Sequence, residues 1–233
     1  ECALLKVYGS EVLDFVVDEA VQIFGGMGYS AEAPVDRAFR DSRINRIFEG
    51  TNEINRILAA DTAIKKAQKG EFDLFGPAKK ALSGITKMAP HEFPQDYYEE
   101  KKYVIRNFKR VILMVVQSFT DKVSKVMDEQ EILMNIADMM IQVYAAESTL
   151  LRIEKIEKLE GQKYVQIYKD ILDVFVHDAA YQVLRHGREA ISSYETGKKL
   201  ENMCEAIKHL CRVRPVNAKE ARRRIADRLI YDN

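Results

Sequence analysis

Apolar residues recur at helical steps along most of this chain. Leu13, Val17, Ala20 and Phe24 are spaced by four, three and four, and Val16 and Val21 widen the stripe. That pattern predicts an amphipathic helix with one packed face, stopped by Gly25-Gly26. A loop through Gly28, Tyr29 and Ser30 follows, and Pro34 fits the first turn of a short helix, PVDRAFRDSR. Thr51 is placed to cap NEINRILAADTAIKKAQ, with Glu53 in its first turn and Lys65, Lys66 and Lys69 near its end.

Residues 70–96 change character, holding three of the five prolines and three of the eleven glycines. They read as a linker with one short helix in PAKKALSGITKM, residues 77–88. From Tyr97 the helical period returns in four long segments: 97–127, 129–161, 163–197 with a break expected at Gly187, and 198–213. Pro215 ends the last of these. Asn217 then caps a terminal helix that runs to residue 233. No alternating strand pattern is convincing. The reading is all-α, antiparallel helical bundles, divided as 1–69, a linker at 70–96, and 97–233.

Composition adds limits. Thirty-six basic residues balance thirty-six acidic ones, so zero net charge argues against a global pull towards nucleic acid. No apolar run approaches the roughly 18 residues of a membrane span. Three cysteines, an odd number in a long chain, fit a reducing compartment. Cys204 and Cys211 lie two turns apart, too far to bridge. With His209 they still lack a fourth ligand for zinc, so no metal site is assigned. His177 reads as a packing histidine, and Arg222 to Arg224 as a solvated face, with phosphate or lipid headgroups as the alternative. The chain begins without methionine and in mid-helix, so it is expected to be a piece of a longer protein.

Two stretches carry chemistry. Gly26 to Ala31, GMGYSA, fits the spacing G-x-G-x-x-G/A, but that fingerprint needs a preceding strand and an immediate helix. Here a helix precedes it. The glycines either cap that helix or leave N–H groups bare for a phosphate or adenosine group. In RIFEGTNEINR, Glu49 sits between Ile47-Phe48 and Gly50, just ahead of the Thr51 cap. A carboxylate desolvated by apolar neighbours has a raised pKa and serves as a base. The alternative is a loop glutamate paired with Arg43, Arg46 or Arg56.

The run Asp18 to Arg56, DEAVQIFGGMGYSAEAPVDRAFRDSRINRIFEGTNEINR, closely resembles the C-terminal helical domain of acyl-CoA dehydrogenases. The resemblance implies that Glu49 is the base that takes the α-proton of an acyl-CoA thioester. The β-hydride goes to N5 of FAD and yields a trans-2-enoyl product. It implies that Gly50 lines the thioester site and that Thr51, Asn52 and Glu53 touch FAD. Gln22, Ile23, Phe24, Gly25 and Gly26 would reach the FAD of a neighbouring subunit, so a homodimer or higher homo-oligomer is implied. Arg40, Asp41 and Arg43 correspond to structural ion-pair residues. An electron-transfer flavoprotein is the implied acceptor. A glutamate at position 49 argues against branches that carry the base on another helix.

The roughly 165 residues beyond the EGT helix resemble the very-long-chain branch, which adds a helical region for subunit contact and membrane-surface attachment. Lys79 and Lys80 beside apolar residues offer peripheral membrane contact; a helix packed on its own domain is the alternative. The segment alone is expected to be inactive and to lack FAD. Bacterial cytoplasm is the expected compartment, with mitochondrial matrix as the alternative. The competing reading of the whole chain is an oligomerisation or membrane-docking module with no catalytic role.

Overall fold

The computed structural model describes residues 1–85, 90, 92–162 and 165–231. Among them every regular element is helical. They form two compact units, Glu1–Lys69 and Gly70–Asn233.

The first unit holds α1 (Cys2–Phe24), a 3-10 turn (Gly25–Tyr29), α2 (Pro34–Arg43), a second 3-10 turn (Ile44–Arg46) and α3 (Asn52–Gln68). Helix α3 buries Ile57, Ala60, Ile64 and Ala67, at steps of three and four. Helix α1 buries Leu4, Val7, Ser10 and Val17. Of the stripe expected to pack, only Val17 is buried; Leu13 is 41% exposed and Phe24 54%. The reason is that α1 is apolar on more than one face, and α2 and α3 cover only one. Between the helices lie ion pairs: Arg56 to Glu11 at 2.7 Å and Arg46 to Asp14 at 2.8 Å. The family-like ion-pair trio behaves differently from expectation. Asp41 pairs with Arg37 on the surface at 3.6 Å, not with Arg40 or Arg43. Gly25 to Tyr29 form a 3-10 turn directly after a helix, which excludes the strand-turn-helix dinucleotide geometry.

The second unit holds α4 (Phe75–Ser83), α5 (Tyr97–Lys122), α6 (Gln130–Glu160), α7 (Gln166–Ser192), α8 (Gly197–Leu210) and α9 (Ala218–Tyr231). Helix α5 is its axis, with Phe108, Val111, Met114, Val115 and Phe119 wholly buried. It contacts α4, α6, α7 and α8. Full burial of each such side chain stabilises by about 1.5–3 kcal/mol. Asp96 caps α5, accepting from the Glu99 N–H at 2.9 Å. Within the stretch read as a linker, α4 packs on α5 through Ala78 and Ala81. Thr86, Lys87 and Met88 of the predicted short helix lie outside the described residues. So do Lys163 and Tyr164 at the predicted start of the third long helix, and Asp232 and Asn233 at the end of the terminal one.

Helix α7 continues through Gly187, where a break was expected. A Cβ there would stand 3.1 Å from Val111 and 3.3 Å from Ile207, so this glycine marks a close helix crossing. Asn217 caps α9, accepting from the Glu220 N–H at 3.2 Å. The arginines of α9 are solvent-exposed, as expected of a solvated face, and they also pair with carboxylates. Arg224 grips the buried Asp170 of α7 with two bonds, 2.7 and 2.8 Å, and Arg222 bonds Asp178 at 2.9 Å. A second polar cluster surrounds Lys101, itself nearly buried, which pairs with Asp173 at 2.8 Å and Glu100 at 3.2 Å. Arg214 reaches Glu100 at 3.1 Å and the Pro94 carbonyl at 3.0 Å, which ties the α8–α9 connection to the start of α5. Cys204 and Cys211 are free thiols, and burial pushes Cys211 up to about 12.

Candidate functional site

The site is built where the chain leaves α2 and enters α3. Thr51 caps α3 as its sequence position predicts, its hydroxyl accepting from the Ile54 N–H at 3.3 Å. Immediately before it the backbone takes two left-handed steps, Glu49 at φ 56° and Gly50 at φ 80°. Glycine does this freely. A glutamate does not: the left-handed region costs a non-glycine residue about 1–2 kcal/mol. Glu49 is the one non-glycine residue with positive φ among the described residues.

Side chains from both helices hold that turn. The Asn55 amide donates to the carbonyls of Gly50 at 2.7 Å, Thr51 at 3.1 Å and Glu49 at 3.3 Å. The Lys6 ammonium, from α1, donates to the same Gly50 carbonyl at 2.8 Å and to the Asn52 carbonyl oxygen at 2.7 Å. Asn52 also bonds Ser10 at 2.9 Å and Glu11 at 3.2 Å. Glu11 in turn receives Arg56 through two bonds, 2.7 and 2.8 Å. A Cβ on Gly50 would sit 3.0 Å from the Asn55 amide nitrogen, so glycine is required there by space as well as by φ.

The Glu49 side chain is exposed, and among the described residues its carboxylate has no hydrogen-bond or ion-pair partner. The pairing with Arg43, Arg46 or Arg56 is not seen, since Arg46 and Arg56 are committed to Asp14 and Glu11. The apolar shelter is also incomplete: Ile47 is 48% exposed and Phe48 47%. This chain therefore presents the carboxylate without desolvating it. A cleft of about 460 Å³ between α1 and α2 is lined by Asp14, Asp18, Phe39, Arg43 and Arg46, and Glu49 is not in its wall.

The residues expected to touch a flavin separate into two groups. Thr51 and Glu53 face outwards at the start of α3. The free backbone N–H of the first turn holds the Glu53 carboxyl below its usual range, and Thr51 and Arg56 lower it further. Asn52 is different: its side chain is 1% exposed and committed to α1, so it serves packing. Gln22 to Gly26 are all exposed, with Ile23 81% and Phe24 54% exposed. They lie sixteen or more residues along α1 from Lys6, roughly 24 Å at helical rise, away from the Glu49 turn. The fold does not bring the two groups together.

Helical units of this kind, with an unpaired carboxylate on a locked turn ahead of a capped helix, define an all-α domain that presents a carboxylate outward. Residues 1–64 match the family described as "Acyl-CoA dehydrogenase, C-terminal domain", and residues 107–209 match a second family with the same description. A "Probable acyl-CoA dehydrogenase" of Bacillus subtilis (strain 168) is 42% identical over 97% of this chain and 38% of its own length. The human "Very long-chain specific acyl-CoA dehydrogenase, mitochondrial" is 31% identical over 83% of this chain and 32% of its own. A crystal structure of an acyl-CoA dehydrogenase complexed with FAD from Bacillus anthracis superposes with a TM-score of 0.94. It is 41% identical, and the match covers 99% of this chain and 40% of that one. The chain belongs to the acyl-CoA dehydrogenase family. It spans about two-fifths of the length of the Bacillus subtilis and Bacillus anthracis proteins.

Lys6 and Asn55 carry no assigned role in the sequence reading. Asn55 left a signal: an asparagine in the first turns of a helix is a poor helix former and bonds nearby backbone instead. Lys6 left none, because its partner lies 44 residues away.

Proposed function

We propose that this chain is the C-terminal part of an FAD-dependent dehydrogenase that oxidises acyl-CoA to trans-2-enoyl-CoA in fatty-acid β-oxidation. The observation that carries the reading is the exposed, unpaired Glu49 carboxylate on a backbone turn that is fixed from both sides. A base must be held still while it stays free to take a proton, and this turn meets both needs. The bound FAD supplies the hydride-accepting centre. Glu49 takes the proton from Cα of the thioester as the hydride leaves Cβ, so the C–C bond becomes a double bond and charge balances. Gly50, with no side chain, lets the thioester approach. Thr51 and Glu53 edge the flavin site, and the buried Asn52 orients them.

Desolvation of Glu49 is then supplied by the acyl chain and by parts of the protein outside residues 1–233. For that reason the chain alone is expected to be inactive and without FAD. The exposed Gln22 to Gly26 segment supports contact with a second subunit's FAD and hence a homodimer or higher homo-oligomer. Electron-transfer flavoprotein is the proposed acceptor. Higher identity to the bacterial relative than to the mitochondrial one supports a bacterial cytoplasmic enzyme. Among the described residues no helix is long and apolar enough to cross a membrane.

The test is anaerobic mixing of the full-length, flavin-loaded protein with acyl-CoA thioesters of increasing chain length. Bleaching of the flavin by saturated acyl-CoA is expected, and the chain-length profile assigns the branch. A flavin untouched by every thioester would leave the chain as an assembly or docking module.

A further inference from the structure

We infer that Asn55 and Lys6 are positioning residues for Glu49, acting together through the Gly50 carbonyl. This rests on the reading of Glu49 as the base. The Gly50 carbonyl accepts from both: Asn55 Nδ2 at 2.7 Å and Lys6 Nζ at 2.8 Å. Asn55, 8% exposed, also ties down the carbonyls on either side, so one amide spans the whole Glu49–Thr51 turn. Their contacts are with backbone oxygens and with Asn52, not with the Glu49 carboxylate.

A left-handed backbone is not the resting state of a glutamate, so the turn persists only while its surroundings over-determine it. Were it released, Glu49 would return towards negative φ and its Cα–Cβ bond would swing away. The carboxylate, three bonds further out, would move with it. Lys6 brings the second anchor from α1, and the Asn52–Glu11–Arg56 chain of contacts keeps α1 and α3 in register around it. The turn is thus set by a cation and an amide that take no part in the proton transfer.

The experiment uses the full-length, flavin-loaded protein and single-turnover flavin bleaching by acyl-CoA, with ordinary and α-dideuterated thioester. Asn55→Leu removes the amide at similar size, and Lys6→Met removes the charge. Each is expected to slow bleaching on the order of 100-fold, as a misplaced base does. The α-deuterium isotope effect should grow, while flavin content and thioester Kd hold. Lys6→Arg should recover most of the rate. The double variant should lose less than the product of the two single losses, because both act through one carbonyl. Single-variant rates within about threefold of wild type, or losses that track lost flavin, would overturn the inference. Glu49→Gln separates the two claims. If it abolishes bleaching while Asn55→Leu and Lys6→Met do not, the positioning role fails and the base stands. If it bleaches normally, the base reading fails and takes the positioning role with it.

Discussion

Glu195 is the clearest single test of what holds the second unit together. It lies in the connection that follows α7, with its side chain 2% exposed. Burial alone would raise its carboxyl, but hydrogen bonds from Lys122, Lys199 and Ser118 outweigh that and bring it down from 4.5 to about 2. Lys122 bonds it at 2.8 Å and Ser118 at 2.7 Å, and Lys199 closes the third side. Lys122 also takes the Tyr194 carbonyl at 2.8 Å, so the cluster clamps α5 to the α7–α8 connection. A folded pKa below the unfolded one contributes stability that is complete above the unfolded value and is lost as pH falls through the folded value. A drop of that size is worth about 3 kcal/mol at pH 7, of which about 2 are gone by pH 3.

The perturbation is Glu195→Gln, and the assay is urea unfolding of wild type and variant from pH 7 down to pH 2.5. Near-ultraviolet circular dichroism of tyrosine is the probe, because only Tyr8 and Tyr29 of the eleven tyrosines lie before residue 70. Other carboxylates titrate in both proteins and cancel in the difference. That difference should be largest at neutral pH and should shrink by about 2 kcal/mol on reaching pH 3. A wild-type advantage that stays constant across that range would refute the reasoning, since it would owe nothing to the charge.

Further outcomes follow from other contacts. Arg224→Ala leaves the buried Asp170 without its main partner and should cost about 2 kcal/mol, read as a urea midpoint shift and early proteolysis within α9. Arg224 holds the Asp170 carboxyl below its usual value, so this loss should be greatest at neutral pH and fade in acid; an undiminished loss at pH 3 would contradict it. Gly50→Ala forces a side chain into a left-handed position 3.0 Å from Asn55, and should lower stability by about 1–2 kcal/mol in thermal unfolding. With a thiol reagent at pH 8, exposed Cys2 should react at once and Cys211 only after unfolding; equal rates would mean that α8 is not packed as described.

Much of this architecture is legible from residue spacing. Helices with a one-sided apolar period, such as α5 and α6, appear within a few residues of their expected limits, and Thr51 and Asn217 cap where the sequence places them. What spacing cannot supply is the partner. The Leu13–Phe24 row reads as core because it is apolar, yet α2 and α3 cover a different face of α1. Arg224 and Asp170 are 54 residues apart, and no local pattern joins them. Gly187 carries the same letter as a helix breaker, and only the proximity of Val111 and Ile207 makes it a crossing point. Glu49 was found through its resemblance to a family motif. That its backbone is left-handed, and held so by Asn55 and Lys6, is a fact of three dimensions.

The most direct measurement compares wild type with Glu49→Gln in the full-length, flavin-loaded protein. It follows trans-2-enoyl-CoA formed from the thioester that bleaches the flavin fastest. The account predicts a rate lower by several orders of magnitude at unchanged flavin content, because the amide cannot accept the α-proton. Enoyl product at the wild-type rate would contradict it, and would place the base on some residue other than Glu49.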